Sequence, residues 1–266
     1  MTTTIAVGDA QAAATARATA RTLLQAATDM LQNDALSVPQ GTEKVFGLAY
    51  GWWRFACRSA ELVLLGDESG FSVELAPVVR GVFNHIYAVN WLVSNGELAF
   101  DAVVAHAGEE DEKLIKKLES TAWPQAAKYR ADRDQALAKA GPLPVRTPAE
   151  EALLKQYQHE VKNFHDQLDR YGSVELYPVY SHLSSFSHTT TATAGAYIQE
   201  LSDGTQQLLQ KAQVEGHAYV VHVAVLLLQG AEALSPLIDG DPLRASIEKA
   251  RQDLGVVGVP LLPVRK

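Results

Sequence analysis

The stretch "VELAPVVRGVFNHIYAVNWLVS", residues 73–94, decides the fold class. Its apolar side chains recur at steps of three and four residues, in a stripe formed by Leu75, Val79, Val82, Ile86, Val89 and Val93. That period is helical, since a half-buried strand would alternate apolar and polar residues. From Gly81 to Gly96 there is no Asp, Glu, Lys or Arg. A helix that is apolar on nearly every side is normally surrounded by other helices, so we predict a central helix here.

A second helix is predicted from "VFGLAYGWWRFACRSAELVLL", residues 45–65. Steps of three and four residues select one core face, made of Leu48, Trp52, Phe55, Ser59 and Leu62. On that assignment Trp53 points away from the core, towards another helix, a partner or a pocket. The segment "GWWRF", residues 51–55, is therefore a candidate contact for a homodimer.

The segment around "AYVVHVAVLLLQGA", residues 218–231, is also nearly free of charge and predicts another central helix. It is shorter than the roughly 20 apolar residues that a bilayer requires, and it contains His222 and Gln229, so we predict that it does not span a membrane. The fold class is then all-α: a multi-helix bundle with two or three buried central helices.

The chain is expected to divide into three segments. Residues 1–34 form an N-terminal helix, residues 35–237 form the bundle with a long charged helical hairpin around residues 97–171, and residues 238–266 form a terminal helix and tail. The linker at residues 141–151 ends in "TPAE", where Thr147 caps a helix that begins at Pro148. A polar helix is predicted from there to about Tyr171. The segment 189–216 is ambiguous between helix and extended structure.

Composition limits the function and the compartment. The net charge of −8 and the pI of about 5.5 argue against a nucleic-acid surface, which normally carries a basic patch. The single cysteine, Cys57, cannot form an intramolecular disulfide, so a reducing, cytoplasmic location is predicted. We expect Cys57 to be a small core residue.

A cluster of uncharged polar groups lies at "YPVYSHLSSFSH", residues 177–188. If the helix runs to about His188, then Tyr177, Ser181, Ser184 and His188 share one face. Arg80 on the central helix also needs acceptors, because a buried guanidinium cannot lose its proton. We expect Arg80 to contact this polar face of residues 177–188, and an acid such as Glu61 or Glu74 to take part in the same hydrogen-bond network.

Two interpretations of such a network remain open. It could be structural, fixing how the helices pair. It could instead line an internal pocket, formed by Arg80, Asn84, Tyr180, Ser184 and His188, that binds a small polar or anionic ligand or a protein partner. The activity stays undefined in both cases.

The combination of "VVRGVFNHIYAVNWL", a long charged hairpin and "YSHLSSFSHTT" resembles a family of uncharacterised bacterial helical-bundle proteins, known only as a domain of unknown function. The resemblance spans about residues 35–237. It implies a shared polar pattern at Arg80, Tyr180, Ser184 and His188. The family pattern often has an acid one turn after the arginine, where this chain has Asn84.

A second resemblance concerns "RGVFNH", residues 80–85, which is similar to the Arg-x4-His motif of the HEPN superfamily of helical bundles. It implies a metal-independent ribonuclease in a toxin or phage-defence system, with Arg80 and His85 placed across a dimer interface. Nucleic acid would be a partner only under this alternative.

Other catalytic patterns are missing from the sequence. There is no Gly-x-Ser-x-Gly, no His-Glu-x-x-His and no Glu-x-x-His pair. We therefore predict no metal site and no cofactor, and leave open whether the protein is an enzyme.

Overall fold

The computed structural model describes residues 10–32, 36–140, 145–171, 174–212 and 218–262. The chain forms two compact units, one of Met1–Ser94 with Leu168–Lys266 and one of Asn95–Gln167. The all-α prediction is confirmed, whereas the division into three sequence segments stays a prediction. In chain order the helices are α1 (Ala10–Gln32), α2 (Glu43–Glu68), α3 (Ala76–Ser120), α4 (Ala126–Ala140), α5 (Pro148–Lys162), α6 (Phe164–Arg170), α7 (Tyr177–Ser185), α8 (Thr191–Gly195), α9 (Ala218–Leu234) and α10 (Arg244–Asp253).

Helix α9 lies at the centre of the first unit and packs against α1, α2 and α10. Gly230 allows this close packing, because a Cβ atom there would lie 2.4 Å from Ile86 Cδ1 on α3 and 3.0 Å from Trp53 Cδ1 on α2. The segment Ala218–Leu237 is long and apolar enough to cross a membrane by length and composition, and 72% of its most apolar window is buried inside the protein. The prediction that it does not span a membrane stays a prediction.

The first part of α3 is the second central element, as its sequence indicates. No residue from Leu75 to Val93 is exposed. The helix continues past Asn95 into the second unit, and its helical geometry is interrupted at Gly96, where φ is 64° and ψ is −145°. Glycine adopts that backbone conformation without the steric cost that a Cβ atom would bring.

The predicted core face of α2 is wrong except at Ser59, which is buried. Phe55 and Leu62 are 54% and 59% exposed, and Trp53 rather than Trp52 is buried. The face that packs in the core is built largely from small side chains, because short residues let α2 approach α9 closely. Its members are Val45, Ala49, Trp53, Ala56, Cys57, Ser59, Ala60, Val63 and Leu64.

The second unit contains the remainder of α3 together with α4, α5 and most of α6. The predicted start of α5 is confirmed by a capping box, in which Thr147 Oγ1 accepts from Glu150 N–H and the Glu150 carboxylate accepts from Thr147 N–H at 2.7 Å. The single polar helix predicted up to Tyr171 is interrupted at Asn163, which has extended backbone angles and separates α5 from α6.

The segment after α7 combines helix and strand. Thr190 caps the short α8, and two strands follow, β1 (Ile198–Glu200) and β2 (Gln206–Leu208), paired antiparallel. The chain reverses between them at Asp203-Gly204, where the Asp203 carboxylate accepts from Thr205 N–H and Gly204 has a φ of 80°. This dipeptide is a recognised hairpin signal.

Candidate functional site

The first unit brings Arg80 of α3 against Tyr180 of α7, as the sequence predicts. Arg80 Nη2 donates a hydrogen bond to Tyr180 Oη at 2.8 Å. The guanidinium carbon lies 5.0 Å from the centre of the same ring, which is within the range of a cation–π contact. The two residues are a hundred positions apart in the chain, so this contact depends on the tertiary fold.

Aromatic side chains surround the pair. The Phe83 ring lies 6.1 Å from that of Tyr180 and stacks on Tyr87 at 4.8 Å, and Tyr177 lies 6.0 Å from Tyr180. Offset and tilted ring pairs at such distances are favourable. Sequence reasoning did not assign Phe83 to the site, and it placed Tyr177 on the polar face expected to meet Arg80 but not among the residues of the pocket. The signal was present, since each lies three residues from Arg80 or Tyr180 on the same helix.

The expectation that Glu61 or Glu74 neutralises Arg80 is wrong. Glu61 pairs with Arg58 on its own helix. Glu74 accepts hydrogen bonds from Tyr197 Oη and, at 2.8 Å, from Ser72 N–H. Burial acts to raise the pKa of the Glu74 carboxyl, but the hydrogen bonds from Tyr197 and Ser72 outweigh it, and the pKa is lowered. Arg80 forms no ion pair with any residue that the structure describes.

Two polar atoms beside this contact are buried without a hydrogen bond within the described chain. They are Arg80 Nε, a donor, and Asn84 Oδ1, an acceptor. The two residues are one turn apart on α3 and therefore share a face. A buried polar atom without a partner costs about 1–3 kcal/mol. Neighbouring side chains close both atoms off from solvent, so a bound molecule would reach them only after those neighbours move. We call the surface formed by Arg80, Phe83, Asn84, Tyr177 and Tyr180 the Arg80 site.

His188 lies outside the helix on which it was predicted, whereas Ser184 lies on α7 as predicted. Helix α7 ends at Ser185, so His188 lies beyond it and is exposed, while Ser184 is half-buried. The predicted face shared by Tyr177, Ser181, Ser184 and His188 is therefore incomplete.

The physical reason lies in the neighbouring hydroxyls, which bond to backbone carbonyls. Ser185 Oγ donates to His182 O at 2.7 Å, Thr190 Oγ1 to Ser185 O at 2.8 Å and Thr193 Oγ1 to His188 O at 2.9 Å. Much of the uncharged polarity of this segment thus serves the end of α7 and the start of α8.

Arg80 and His85, the pair expected for a nuclease, contact different neighbours. His85 Nδ1–H donates to Gly81 O at 2.7 Å, and its ring stacks on Phe55 of α2 with 4.4 Å between centres. Arg80 contacts α7 instead. The two side chains therefore make separate contacts within one chain, and the nuclease function stays a prediction.

The remaining reactive groups are the side chains able to bind a metal ion and the single thiol. Within the ranges that the structure describes, no group of three or more His, Cys, Asp or Glu side chains is arranged to hold a metal ion. Cys57 is a buried free thiol whose pKa is raised by burial to about 12. The expectation that it is a core residue is confirmed.

Comparison with known proteins identifies one family. The family model described as "Family of unknown function (DUF5677)" matches residues 46–206. The match covers more than half of the 266-residue chain and runs from α2 to β2. The matched range contains the whole Arg80 site. Neither the curated proteins nor the solved structures contain a significant match.

Proposed function

The chain belongs to DUF5677, a family of unknown function, and we propose that it binds a small anionic ligand at the Arg80 site. The observation that carries this proposal is a half-buried guanidinium that contacts a tyrosine and has no carboxylate partner in the described chain. Several other described arginines are neutralised inside the protein, for example Arg251 by Glu232 at 2.6 Å and Arg146 by Asp101 at 2.6 Å. A cation left without an acid is suited to an anion from outside.

The neighbouring groups narrow the chemistry of the ligand. Once the side chains that cover them move, Arg80 Nε can donate to a carboxylate or phosphate oxygen, and Asn84 Oδ1 can accept from an N–H or O–H group. The rings of Phe83, Tyr177 and Tyr180 offer apolar surface for a flat group. We therefore infer a ligand that combines an anionic group, a hydrogen-bond donor and a flat ring.

A reducing, cytoplasmic setting is part of the same proposal. It is supported by the single cysteine, a free and buried thiol. In this proposal the ligand binds without a metal ion or a cofactor. The proposal assigns no reaction to the protein.

The test compares charged and neutral probes of matched shape. Thermal unfolding is followed with 4-hydroxybenzoate and AMP as anions and with 4-hydroxybenzamide and adenosine as their neutral counterparts. A ligand at a hundred times its dissociation constant stabilises the folded state by about 2.7 kcal/mol. We expect an anion to raise the melting temperature of the wild type, its neutral counterpart to have little effect, and Arg80→Gln to lose the shift.

Arg244→Gln is the matched control, because Arg244 is an exposed arginine on α10 that pairs with Glu248. It should keep the anion-dependent shift. The proposal is contradicted if neither anion stabilises the wild type more than its neutral counterpart does, or if Arg80→Gln responds as fully as Arg244→Gln.

A further inference from the structure

Helix α2 carries a second apolar face that the core does not use. Its exposed members include Phe55, Leu62 and Leu65, which are 54%, 59% and 61% exposed. A run of large exposed apolar residues on one helix face is unusual for a surface that contacts only water. The outer stripe of α2, as we name it, follows the alternating three- and four-residue spacing of a coiled-coil seam: Leu48, Gly51, Phe55, Arg58, Leu62 and Leu65.

We propose that a second copy of this chain covers the outer stripe, with the two α2 helices packed antiparallel about a two-fold axis. A two-fold contact requires one patch to be complementary to itself. In antiparallel pairing the stripe positions face each other as Leu48 with Leu65, Gly51 with Leu62, and Phe55 with Arg58.

Each of these facing pairs has compatible chemistry. Gly51 lacks a side chain and has open space around it, so it leaves room for Leu62 of the other copy. Arg58, whose side chain is 72% exposed and pairs with Glu61 of its own chain, would lie over the Phe55 ring of the other copy, a cation–π arrangement. The Phe55 ring is held in place because it stacks on His85.

Charge complementarity supports the antiparallel direction. Arg54 and Glu61 flank the outer stripe on the same side, and antiparallel pairing brings Arg54 of each copy beside Glu61 of the other, which it would share with the Arg58 that already pairs with that Glu61. Within the described chain Arg54 forms no ion pair, and its Nη1 is buried without a hydrogen bond. Parallel pairing would instead place Arg54 opposite the uncharged Ser59, so the two directions are distinguishable.

The length of the outer stripe indicates how tightly the two copies would bind. From Leu48 to Leu65 the stripe is about 25 Å long at 1.5 Å per residue. One helix pair of that length lies at the small end of specific interfaces, so we expect a reversible dimer with a dissociation constant on the order of micromolar. This proposal does not depend on the Arg80 site.

Sedimentation equilibrium of the full chain tests the dimer. We expect a monomer–dimer equilibrium for the wild type, weakened at least tenfold in Leu62→Glu. Leu137→Glu is the matched control, since Leu137 on α4 is a leucine 54% exposed, and it should dimerise as the wild type does. Circular dichroism confirms that each variant is folded. A wild type that stays monomeric up to millimolar concentration, or equal dimerisation of the two Leu→Glu variants, overturns the proposal.

Exchanging the charges of Arg54 and Glu61 tests whether the two α2 helices pair antiparallel. Arg54→Glu and Glu61→Arg each place like charges together and should weaken the dimer, whereas the double variant restores an opposite-charge pair. Recovery of dimerisation in the double variant supports the antiparallel arrangement. A double variant no tighter than the weaker of the two single variants overturns it.

Discussion

Replacing Gly230 by alanine tests the packing at the centre of the first unit. The added Cβ atom would lie 2.4 Å from Ile86 Cδ1 and 3.0 Å from Trp53 Cδ1. Ile86 and Trp53 are 1% and 2% exposed, so neither can move without displacing other core atoms. Overpacking of this kind costs about 1–3 kcal/mol, while alanine gains about 1 kcal/mol over glycine in a helix. We expect Gly230→Ala to lose about 1 kcal/mol of unfolding free energy.

Gly47→Ala is the matched control, because Gly47 lies on α2, is exposed and has no atom within 4 Å of an added Cβ. It should gain about 0.5–1 kcal/mol from helix propensity alone. Urea unfolding followed by tryptophan fluorescence measures both variants. The predicted gap between them is about 2 kcal/mol, obtained from the overpacking range above. Equal stability of the two variants would refute the close approach of α9 to α2 and α3.

Further predictions concern a thiol, a histidine, a helix cap and the nuclease alternative. Cys57, with a pKa raised to about 12, should react with a disulfide reagent at pH 8 only after denaturation. Burial lowers the pKa of His222 below its ordinary 6.5, so His222 binds a proton in the unfolded chain at a higher pH than in the folded chain. Acidification from pH 7 to 5 therefore favours unfolding, and His222→Gln should lose less stability than the wild type over that range. Thr147→Ala should destabilise the second unit by about 1 kcal/mol. RNA incubated in EDTA should stay intact with the wild type.

Each of these predictions has a clear opposite result. Rapid labelling of native Cys57 would contradict its burial, and an unchanged pH dependence in His222→Gln would contradict the lowered pKa. Thr147→Ser keeps the hydroxyl and should keep the stability that Thr147→Ala loses. RNA cleavage that disappears in both Arg80→Ala and His85→Ala would favour the nuclease.

The central helices were predictable because their sequences combine helical periodicity with a near absence of charged residues. The first part of α3, up to Asn95, is apolar on nearly all sides and has no charged residue other than Arg80, and no residue from Leu75 to Val93 is exposed. The start of α5 was predictable because Thr147, Pro148 and Glu150 act locally, within one turn.

The orientation of α2 was not predictable in the same way. Large apolar residues occupy two of its faces, and periodicity alone favoured the one with Phe55 and Leu62, which is exposed. The buried face consists largely of small alanines together with Trp53. The Trp53 side chain fits into the core because the residue it packs against on α9, Gly230, has no side chain. That information is tertiary and does not appear in the local pattern.

The candidate site was predicted in part for a related reason. The pairing of Arg80 with Tyr180 follows from the need of a guanidinium for acceptors. The displacement of His188 does not follow from periodicity, because the serine and threonine hydroxyls compete for backbone carbonyls and end α7 at Ser185.

The most direct test of the Arg80 site is the NMR signal of the Arg80 Nε–H group during titration with 4-hydroxybenzoate and AMP. The signal is identified by its loss in Arg80→Lys. A saturable shift with an anion, and none with 4-hydroxybenzamide or adenosine, is the result that anion binding predicts. A signal that stays in place with both anions, or that moves equally with their neutral counterparts, would contradict it.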